Sequence, residues 1–351
     1  MQVPKFGVNR FDSTSVAAFA ADVARAEALG WDAAFQPDSQ LRRRETYVLL
    51  AAAAAATSHI SLSPFIANPV NRHPSVTASS IATVAELAPG RVLIAMGVGD
   101  TAVRLAGLRP AKVAELEAAT RMIKDLLAGE EVDLGALRPA YLPHNSPVPV
   151  WIAAGGPRTL RMAGSVCDGV FIRAGTAAAN IGASVDLIRE GAASAGRDPA
   201  SVKIAAVFHT VLHDDAEQAE TMAKSMAAGY YEYTPSLFDA VGIEWNGISP
   251  DELKQQRIVW PDFHHDPDLL KSGTAVGFLP RAAADNFALW GSADQITEQL
   301  ISVLRASPVD FEYVVLQPIP DPRWPEALVP SGFTARVATE VLPRVRAALQ
   351  D

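Results

Sequence analysis

The stretch RVLIAMGVGD, residues Arg91–Asp100, decides the fold. The apolar run that ends at Met96 is too short for a helix and rich in branched side chains, which is typical of a strand buried on both faces. It ends in two closely spaced glycines, Gly97 and Gly99, and residues 101–107 are expected to begin a helix. Glycines at the end of a strand let a ligand approach the backbone, and the free N–H groups of a helix start favour phosphate or an oxyanion.

A second copy of this arrangement lies at VWIAAGG, residues Val150–Gly156, followed by a predicted helix that starts at Pro157. A single glycine turn of this kind is weak evidence for a ligand site, whereas two, each at the end of a buried strand, are stronger evidence. Together they predict a phosphorylated cofactor held along one rim of a sheet.

Length and composition set the class of protein. The 351 residues, 49% hydrophobic and 20% charged, describe a globular chain with ample core. The net charge of −9 argues against nucleic acid or an anionic membrane as the main partner. We expect no export segment and a cytoplasmic location, because the N-terminal residues lack a basic region followed by an apolar one. The single cysteine, Cys167, excludes an internal disulfide and is expected to be a small core residue.

Strand and helix patterns alternate along the whole chain, which predicts an α/β protein, specifically a (β/α)8 TIM barrel formed as one domain over residues 1–351. The alternation of strand and helix patterns is interrupted at about 230–283, where aromatic and polar residues show no strand pattern. We therefore predict an insertion between strands 7 and 8. A doubly wound open sheet is the alternative architecture. The eight predicted strands are residues 5–9, 33–36, 60–66, 91–97, 149–153, 169–173, 202–209 and 310–316.

Four motifs carry a family resemblance. They are FIANPVNRHPSVTASSIATVAEL (65–87), GRVLIAMGVGD (90–100), VPVWIAAGGPRTLRMAG (148–164) and CDGVFIRAG (167–175). Taken together, they resemble the bacterial luciferase-like superfamily, and most closely its coenzyme F420-dependent branch of the methylenetetrahydromethanopterin reductase type. The likeness runs from about residue 6 to 208 and returns at 286–318. It implies the barrel fold, F420 as cofactor and a homodimer.

The resemblance also places particular residues at the cofactor. It implies that Asp38 lies beside the deazaflavin ring and that the Phe65–Ile66 bond is a non-prolyl cis peptide forming a bulge behind the ring. The glycine turns are implied to contact the phosphate and the ring edge, in agreement with the backbone argument above. The cofactor-binding residues expected on this basis are Asp38, Phe65, Ile66, Ala67, Val98, Gly99, Asp100, Ala154, Gly155 and Gly156.

Two positions depart from the family pattern. Ser39 stands where sugar-phosphate and alcohol-oxidising relatives have a histidine base, and Asn9 stands where the reductase branch has a glutamate on its first strand. Both changes remove a proton-transfer group. His209, at the end of the seventh predicted strand, is the best remaining acid or base because imidazole titrates near neutral pH. The catalytic candidates are therefore Asn9, Ser39 and His209, although His209 also fits a buried core histidine.

Several other residues have two interpretations. Asp100 is a ring-side residue, a helix N-cap or both. The arginines at 42–44 are either a solvated run or residues that bind the acidic tail of F420. The segment Pro261–Asp268 is interpreted as a solvated or lid loop with no metal, and the aromatic residues Trp245, Trp260 and Phe263 either roof a planar ring or anchor the insertion.

The leading hypothesis is an F420-dependent oxidoreductase that transfers a hydride between the deazaflavin C5 and a small organic substrate. Without a strong base at the two usual positions, reduction of an activated C=C or C=N bond is favoured, with the proton from His209, Ser39 through water, or solvent. The alternatives are an FMN-dependent luciferase-like monooxygenase and a cofactor-binding protein without turnover. The glycine turns alone would also suit a barrel isomerase acting on sugar phosphates.

Overall fold

The computed structural model describes residues 2–9, 11, 14–319 and 332–350. Strands and helices alternate through most of the chain, as the hydrophobic pattern predicts. The strands are β1 (Lys5–Val8), β2 (Ala33–Gln36), β3 (Ser61–Pro64), β4 (Ile94–Met96), β5 (Val150–Ala154), β6 (Gly169–Ile172), β7 (Lys203–Leu212), β8 (Leu289–Gly291) and β9 (Tyr313–Ile319). The helices up to β7 are α1 (Val16–Ala28), α2 (Thr46–Ala56), α3 (Pro74–Leu87), α4 (Thr101–Leu105), α5 (Val113–Ala128), α6 (Pro157–Val166) and α7 (Ala178–Ser194).

The helices after β7 are α8 (Ala216–Tyr233), α9 (Ser236–Asp239), α10 (Pro250–Gln255), α11 (Leu269–Ala275), α12 (Arg281–Phe287), α13 (Ala293–Ala306), α14 (Phe333–Arg336) and α15 (Leu342–Gln350), with a π-helical turn at Val337–Val341. Most of them are short; α8, α13 and α15 are the longer ones. No helix among the described residues has the length and apolar character needed to cross a membrane.

The contacts divide the chain into two compact units. The N-terminal unit contains residues 11–171 and 186–204, and the C-terminal unit contains residues 1–10, 172–185 and 205–351. A single domain with an insertion, which the sequence led us to expect, stays a prediction.

In the N-terminal unit, β2 to β5 lie side by side and run parallel. Gln36 is the register partner of Pro64 in the β2–β3 pair, and Met96 is the partner of Ile152 in the β4–β5 pair. Two isolated parallel bridges, Leu62 to Val92 and Ala67 to Met96, join β3 to β4. The carboxyl ends of four consecutive strands therefore lie at one edge.

In the C-terminal unit, β1, β9, β7 and β8 are paired in that order, and all three pairs are parallel. The sequence pattern missed β8, which has only three residues. Because β8 pairs with residues 210–212, β7 continues three residues past its predicted end at His209.

The strand order of the whole sheet is β3-β2-β1-β9-β7-β6-β5-β4, with β8 paired to β7. With helices between successive strands and bridges from β3 to β4, this is the order of a (β/α)8 barrel. The predicted fold class is thereby confirmed, and the open doubly wound sheet is wrong.

The segment 230–283 contains no strand, as expected, but it is helical rather than irregular. Its helices pack on a buried cluster that includes Tyr230, Phe238 and Phe263. Phe263 is fully buried, and Trp245 stacks on Tyr231 with ring centroids 4.4 Å apart, so both anchor the segment. Trp260 is 67% exposed and does not share this role.

Candidate functional site

The ten predicted cofactor residues all belong to the N-terminal unit. Asp38 follows β2, the segment Phe65–Ala67 follows β3, Val98–Asp100 follows β4, and Gly155–Gly156 follows β5. Because these four strands are neighbours and parallel, the four segments line one edge of the sheet. Active sites of (β/α)8 barrels lie at this edge.

The segment after β3 has the backbone that the resemblance implied. The Phe65–Ile66 peptide is cis. The Phe65 N–H donates to the Gln36 carbonyl at 2.7 Å, and the Ala67 N–H donates to the Ala95 carbonyl at 2.9 Å. The segment is therefore tied to β2 on one side and to β4 on the other.

Gly97 and Gly99 are needed for two different reasons. A Cβ on Gly97 would overlap the Cδ1 atom of Ile66, so this glycine makes room for the side chain that follows the cis bond. Gly99 has φ +79°, in the left-handed region that favours glycine, and its Cβ would overlap Val103. Gly155 and Gly156 do not have positive φ, so a left-handed turn does not explain them.

The contact between Gly97 and Ile66 gives a stability prediction. Gly97→Ala is expected to lower the free energy of unfolding by about 1–2 kcal/mol, because the added methyl group forces Cδ1 of Ile66 out of its present position. The double variant with Ile66→Ala should lose at least about 1 kcal/mol less than the sum of the single losses. Urea unfolding of the four proteins measures this coupling. Gly182→Ala is the control, since its Cβ would lie 3.7 Å from the nearest atom outside its own helix, Cγ of Pro308. Additive losses at positions 66 and 97 would contradict the prediction.

Asp38 forms a buried ion pair. Its Oδ2 lies 2.5 Å from Nη1 of Arg72, while Nη2 of Arg72 lies 2.5 Å from Oε1 of Glu45. The Arg72 guanidinium also lies over the Tyr47 ring, 5.0 Å from its centroid. Burial raises the pKa of Asp38, and the opposing effect of Arg72 does not fully offset it. The site thus holds a buried carboxyl group with one cationic partner, a combination that is frequent at functional sites.

Two polar atoms at the end of β2 lack a hydrogen-bond partner. The Oε1 of Gln36 and the Oγ of Ser39 are buried, and neither has a partner among the described residues. A buried polar group without a partner is unfavourable by roughly 1–3 kcal/mol, so such groups are expected where a ligand completes the bonding. The edge therefore offers an acceptor and a hydroxyl to a bound molecule.

The remaining predicted positions have clear local structure. Asp100 is the N-cap residue of α4, as one interpretation held, but its side chain makes no capping bond; its Oδ1 instead lies 2.6 Å from Nε of Arg104. Gly156 is the N-cap residue of α6 with φ −85° and ψ 147°, and no atom of the described residues lies within 4 Å of the position of a Cβ there. The space beside the start of α6 is open.

Of the catalytic candidates, Asn9 and His209 belong to the C-terminal unit, and Gln317 connects them. Asn9 is buried directly after β1, its Nδ2 donates to Oε1 of Gln317 at 3.0 Å, and its own Oδ1 has no partner among the described residues. Gln317 is the register partner of His209 in the β7–β9 pair. Sequence reasoning missed Gln317, although a polar residue inside the apolar strand YVVLQPI was the signal for it.

The segment Pro261–Asp268 is not the solvated loop that we expected. Asp262, Phe263 and His264 are buried, and the His264 ring lies 4.6 Å from the His209 ring, centroid to centroid. Arg43, the middle residue of the run 42–44, is also buried, so the interpretation of this run as solvated is wrong for Arg43. Within the part of the chain that the structure describes, no three His, Cys, Asp or Glu residues are arranged to hold a metal ion.

Comparison with known proteins identifies the family. The model of the luciferase-like monooxygenase family matches residues 6–310. The chain belongs to this family. A 5,10-methylenetetrahydromethanopterin reductase from Methanolobus tindarius is 30% identical over 256 residues, which are 70% of this chain and 76% of that protein. An F420-dependent glucose-6-phosphate dehydrogenase from Beutenbergia cavernae is 27% identical over 342 residues, 92% of this chain and 91% of that protein.

Solved structures agree on the luciferase-like fold. The coenzyme F420-dependent tetrahydromethanopterin reductase from Methanopyrus kandleri superposes with a TM-score of 0.73 at 23% identity, covering 98% of this chain and 100% of that one. An F420-dependent secondary alcohol dehydrogenase in complex with an F420-acetone adduct gives a TM-score of 0.69 at 18% identity, covering 98% and 100%. The resemblance drawn from the sequence motifs, to the luciferase-like family and its F420-dependent branch, is confirmed.

Proposed function

We propose that this luciferase-like protein is an F420-dependent oxidoreductase that adds a hydride and a proton across an activated C=C or C=N bond of a small organic molecule. One observation carries the proposal. Four segments expected at the cofactor follow four neighbouring parallel strands of one compact unit and lie at a single edge. Several relatives are F420-dependent enzymes, including a dehydrogenase that aligns with 92% of this chain.

The residues at this edge fit a flat, phosphorylated cofactor. The orphaned Oε1 of Gln36 and Oγ of Ser39 offer hydrogen bonds, and the open space beside Gly156 offers backbone N–H groups at a helix start. In this proposal Asp38 and the Phe65–Ala67 segment contact the ring, and the turns at Val98–Asp100 and Ala154–Gly156 hold the phosphate arm. Bound F420 would supply the hydride at its C5 carbon.

The chain's own residues then handle orientation and the proton. An amide such as that of Asn9 does not exchange a proton near neutral pH, so Asn9, fixed by Gln317, would only orient a group by hydrogen bonding. The Oγ of Ser39 would pass a proton only through water. Of the three catalytic candidates, His209 is the one with an imidazole, a group that ordinarily titrates near neutral pH. This set favours reduction over oxidation of an alcohol, since oxidation needs a strong base.

Fluorescence titration of F420 tests the cofactor. We expect saturable binding in the micromolar range, corresponding to about −8 kcal/mol, and weaker binding of FMN. The Gly182→Ala control should bind F420 as the wild type does, since that position lies in α7, outside the four segments. Absence of saturable F420 binding would contradict the proposal, and oxygen consumption with reduced FMN would favour a monooxygenase instead.

Turnover is tested separately, with reduced F420 and a panel of enones and cyclic imines, by following the absorbance of oxidised F420. Tight binding without turnover across this panel would make the chain a cofactor-binding protein. The homodimer and the cytoplasmic location belong to the same proposal; light scattering at several protein concentrations tests the first, and fractionation of host cells tests the second.

A further inference from the structure

Arg173 directly follows β6, at the carboxyl end of a barrel strand, and belongs to the C-terminal unit. Its guanidinium carbon lies 5.4 Å from the ring centroid of Tyr230 and 5.3 Å from that of Tyr233. Two tyrosine faces thus hold a planar cation, an arrangement that stabilises an arginine without neutralising it. We call Arg173, Tyr230, Tyr233 and His264 the Arg173 cluster.

The hydrogen bonds of His264 establish that it is neutral. Arginine can only donate, so the contact from Nη2 of Arg173 makes Nδ1 of His264 an acceptor. The Nε2 of His264 donates to the Met226 carbonyl at 3.0 Å. Burial, with the nearby charges of Arg173 and His209, also lowers the pKa of His264 well below 6.5. The histidine therefore orients Arg173 and leaves its positive charge uncompensated.

No carboxylate of the described residues lies within ion-pair distance of Arg173. Asp262 is the acidic group that interacts with it electrostatically, but Oδ1 of Asp262 lies 2.8 Å from Nδ1 of His265. Arg72, another partly buried arginine, pairs with two carboxylates. A half-buried arginine whose direct partners are two tyrosines and a neutral histidine is unusual, because a desolvated charge is normally paired.

The cluster is held in place by packing and is open on one side. Gly229 in α8 faces His264, and a Cβ there would lie 2.5 Å from Nε2 of the imidazole, so the glycine lets the ring seat closely. The His264 ring stacks on Tyr233 with an interplanar angle of 4°, and Tyr233 is 40% exposed. Solvent, and therefore a ligand, reaches the cluster from the Tyr233 side.

We propose that Arg173 binds an oxyanion of the substrate, a carboxylate in the first place, with His264 as the residue that positions it. This inference rests on the proposed function and narrows its substrate to small organic acids. The guanidinium fork matches a carboxylate with two parallel hydrogen bonds, which a neutral amide or ester does not reproduce. With its negative charge offset by the guanidinium, a carboxylate conjugated to a C=C or C=N bond can also accept the electron density that an added hydride brings.

The test measures anion binding without F420, by ligand-observed NMR titration with crotonate, its neutral amide crotonamide, and inorganic phosphate. Wild type is expected to bind crotonate at least about tenfold more tightly than crotonamide, the equivalent of one charge-assisted contact. Arg173→Gln should remove this preference, and Arg173→Lys should restore part of it because the charge returns without the fork. His264→Asn should weaken the binding of crotonate and leave the affinity for crotonamide unchanged. Arg121→Gln, at an exposed arginine paired with Glu117, is the control.

Each outcome decides the proposal. If wild type binds phosphate more tightly than crotonate and Arg173→Gln loses this preference, the site is assigned to phosphate esters. That result would overturn the proposal that the ligand is a carboxylate. Equal binding of crotonate by wild type and by both Arg173 variants would overturn it entirely. A fluorescence titration shows whether Arg173→Gln alters F420 binding; weakening there, with crotonate unaffected, would assign Arg173 to the cofactor. Failure of wild type to bind F420 would contradict the proposed function alone, since crotonate binding is measured without it.

Discussion

Replacing Gly156 by valine is expected to weaken F420 binding about 100-fold, or by about 2.7 kcal/mol, with little change in stability. Gly156 precedes Pro157 at the start of α6, and the position of its Cβ faces open space. Since none of the residues that the structure describes has an atom within 4 Å of that position, packing among them does not require the glycine. Its backbone angles, φ −85° and ψ 147°, suit valine as well as glycine.

The reason for glycine must therefore lie outside the folded chain itself. In the proposed function the phosphate of F420 occupies the space beside Gly156, where helix N–H groups have no intrahelical partner. A side chain in that space would exclude the phosphate from those donors. Valine is a poorer N-cap than glycine, so the free energy of unfolding should fall by less than about 1 kcal/mol.

A series at position 156 separates the two effects. Alanine, serine and valine should weaken F420 binding in order of size, although serine caps a helix better than glycine and should raise stability slightly. F420 fluorescence titration gives the affinities, and urea unfolding gives the stabilities, with Gly182→Ala as the control outside the site. Unchanged affinity in Gly156→Val would mean that the β5 turn does not hold the phosphate.

The sequence was sufficient to predict the fold and to place the four predicted cofactor segments at one edge of the sheet, because both depend on short-range patterns. Each strand of the N-terminal unit shows its own apolar run, and parallel strands must bring their carboxyl ends to one edge. The segments that begin at Asp38, Phe65, Val98 and Gly155 could therefore be placed together before any distance was known. The family motifs added the cis bond after Phe65, which no periodicity indicates.

Long-range pairing could not be predicted in the same way. Arg72 lies 34 residues from Asp38, and only the packing of the loops after β2 and β3 selects this arginine as the partner. His264 lies in a polar segment that looks solvated by composition, yet it is buried against α8 beside Gly229. Burial of such residues is decided by elements that are distant in sequence, so local composition gave the wrong answer.

The short strand β8 shows a third limit. Three residues, Leu289–Gly291, give too little alternation to be distinguished from the helix on either side. Its pairing with Thr210–Leu212 extends β7 and places His209 inside the strand instead of at its end. The role of His209 therefore depends on its neighbours His264 and Gln317, neither of which the motif pattern connected to it.

Replacing Arg72 by methionine is expected to lower the free energy of unfolding by about 3–5 kcal/mol at neutral pH, because it leaves the Asp38 carboxylate buried without its cation. The Asp38 side chain is 2% exposed and that of Arg72 is 18% exposed, so solvent screens their interaction only weakly. The double variant Asp38→Asn/Arg72→Met removes both charges and should recover most of the loss. Asp38→Asn alone should cost less than Arg72→Met, since Arg72 keeps Glu45 as a partner.

The pH dependence follows from the direction of the shift. Burial raises the pKa of Asp38 above its ordinary 3.8 in the folded chain, so folding favours the protonated carboxyl group. The contribution of Asp38 to stability is therefore most favourable below pH 3.8 and declines as the pH rises from there to the folded pKa. Loss of Arg72 removes the main opposing interaction, so the decline should continue to higher pH and become larger.

Urea unfolding of wild type and the three variants from acidic to neutral pH measures this dependence. The difference between wild type and Arg72→Met should be small where Asp38 is protonated in both proteins and grow as the pH rises. In the Asp38→Asn background, the same arginine substitution should show much less growth, because the buried carboxyl group is gone and the remaining partner, Glu45, is 44% exposed, so solvent screens its charge. A loss in Arg72→Met that is equal at all pH values, or one that persists in the Asp38→Asn background, would mean that Arg72 stabilises the fold through Tyr47 and Glu45 instead of Asp38.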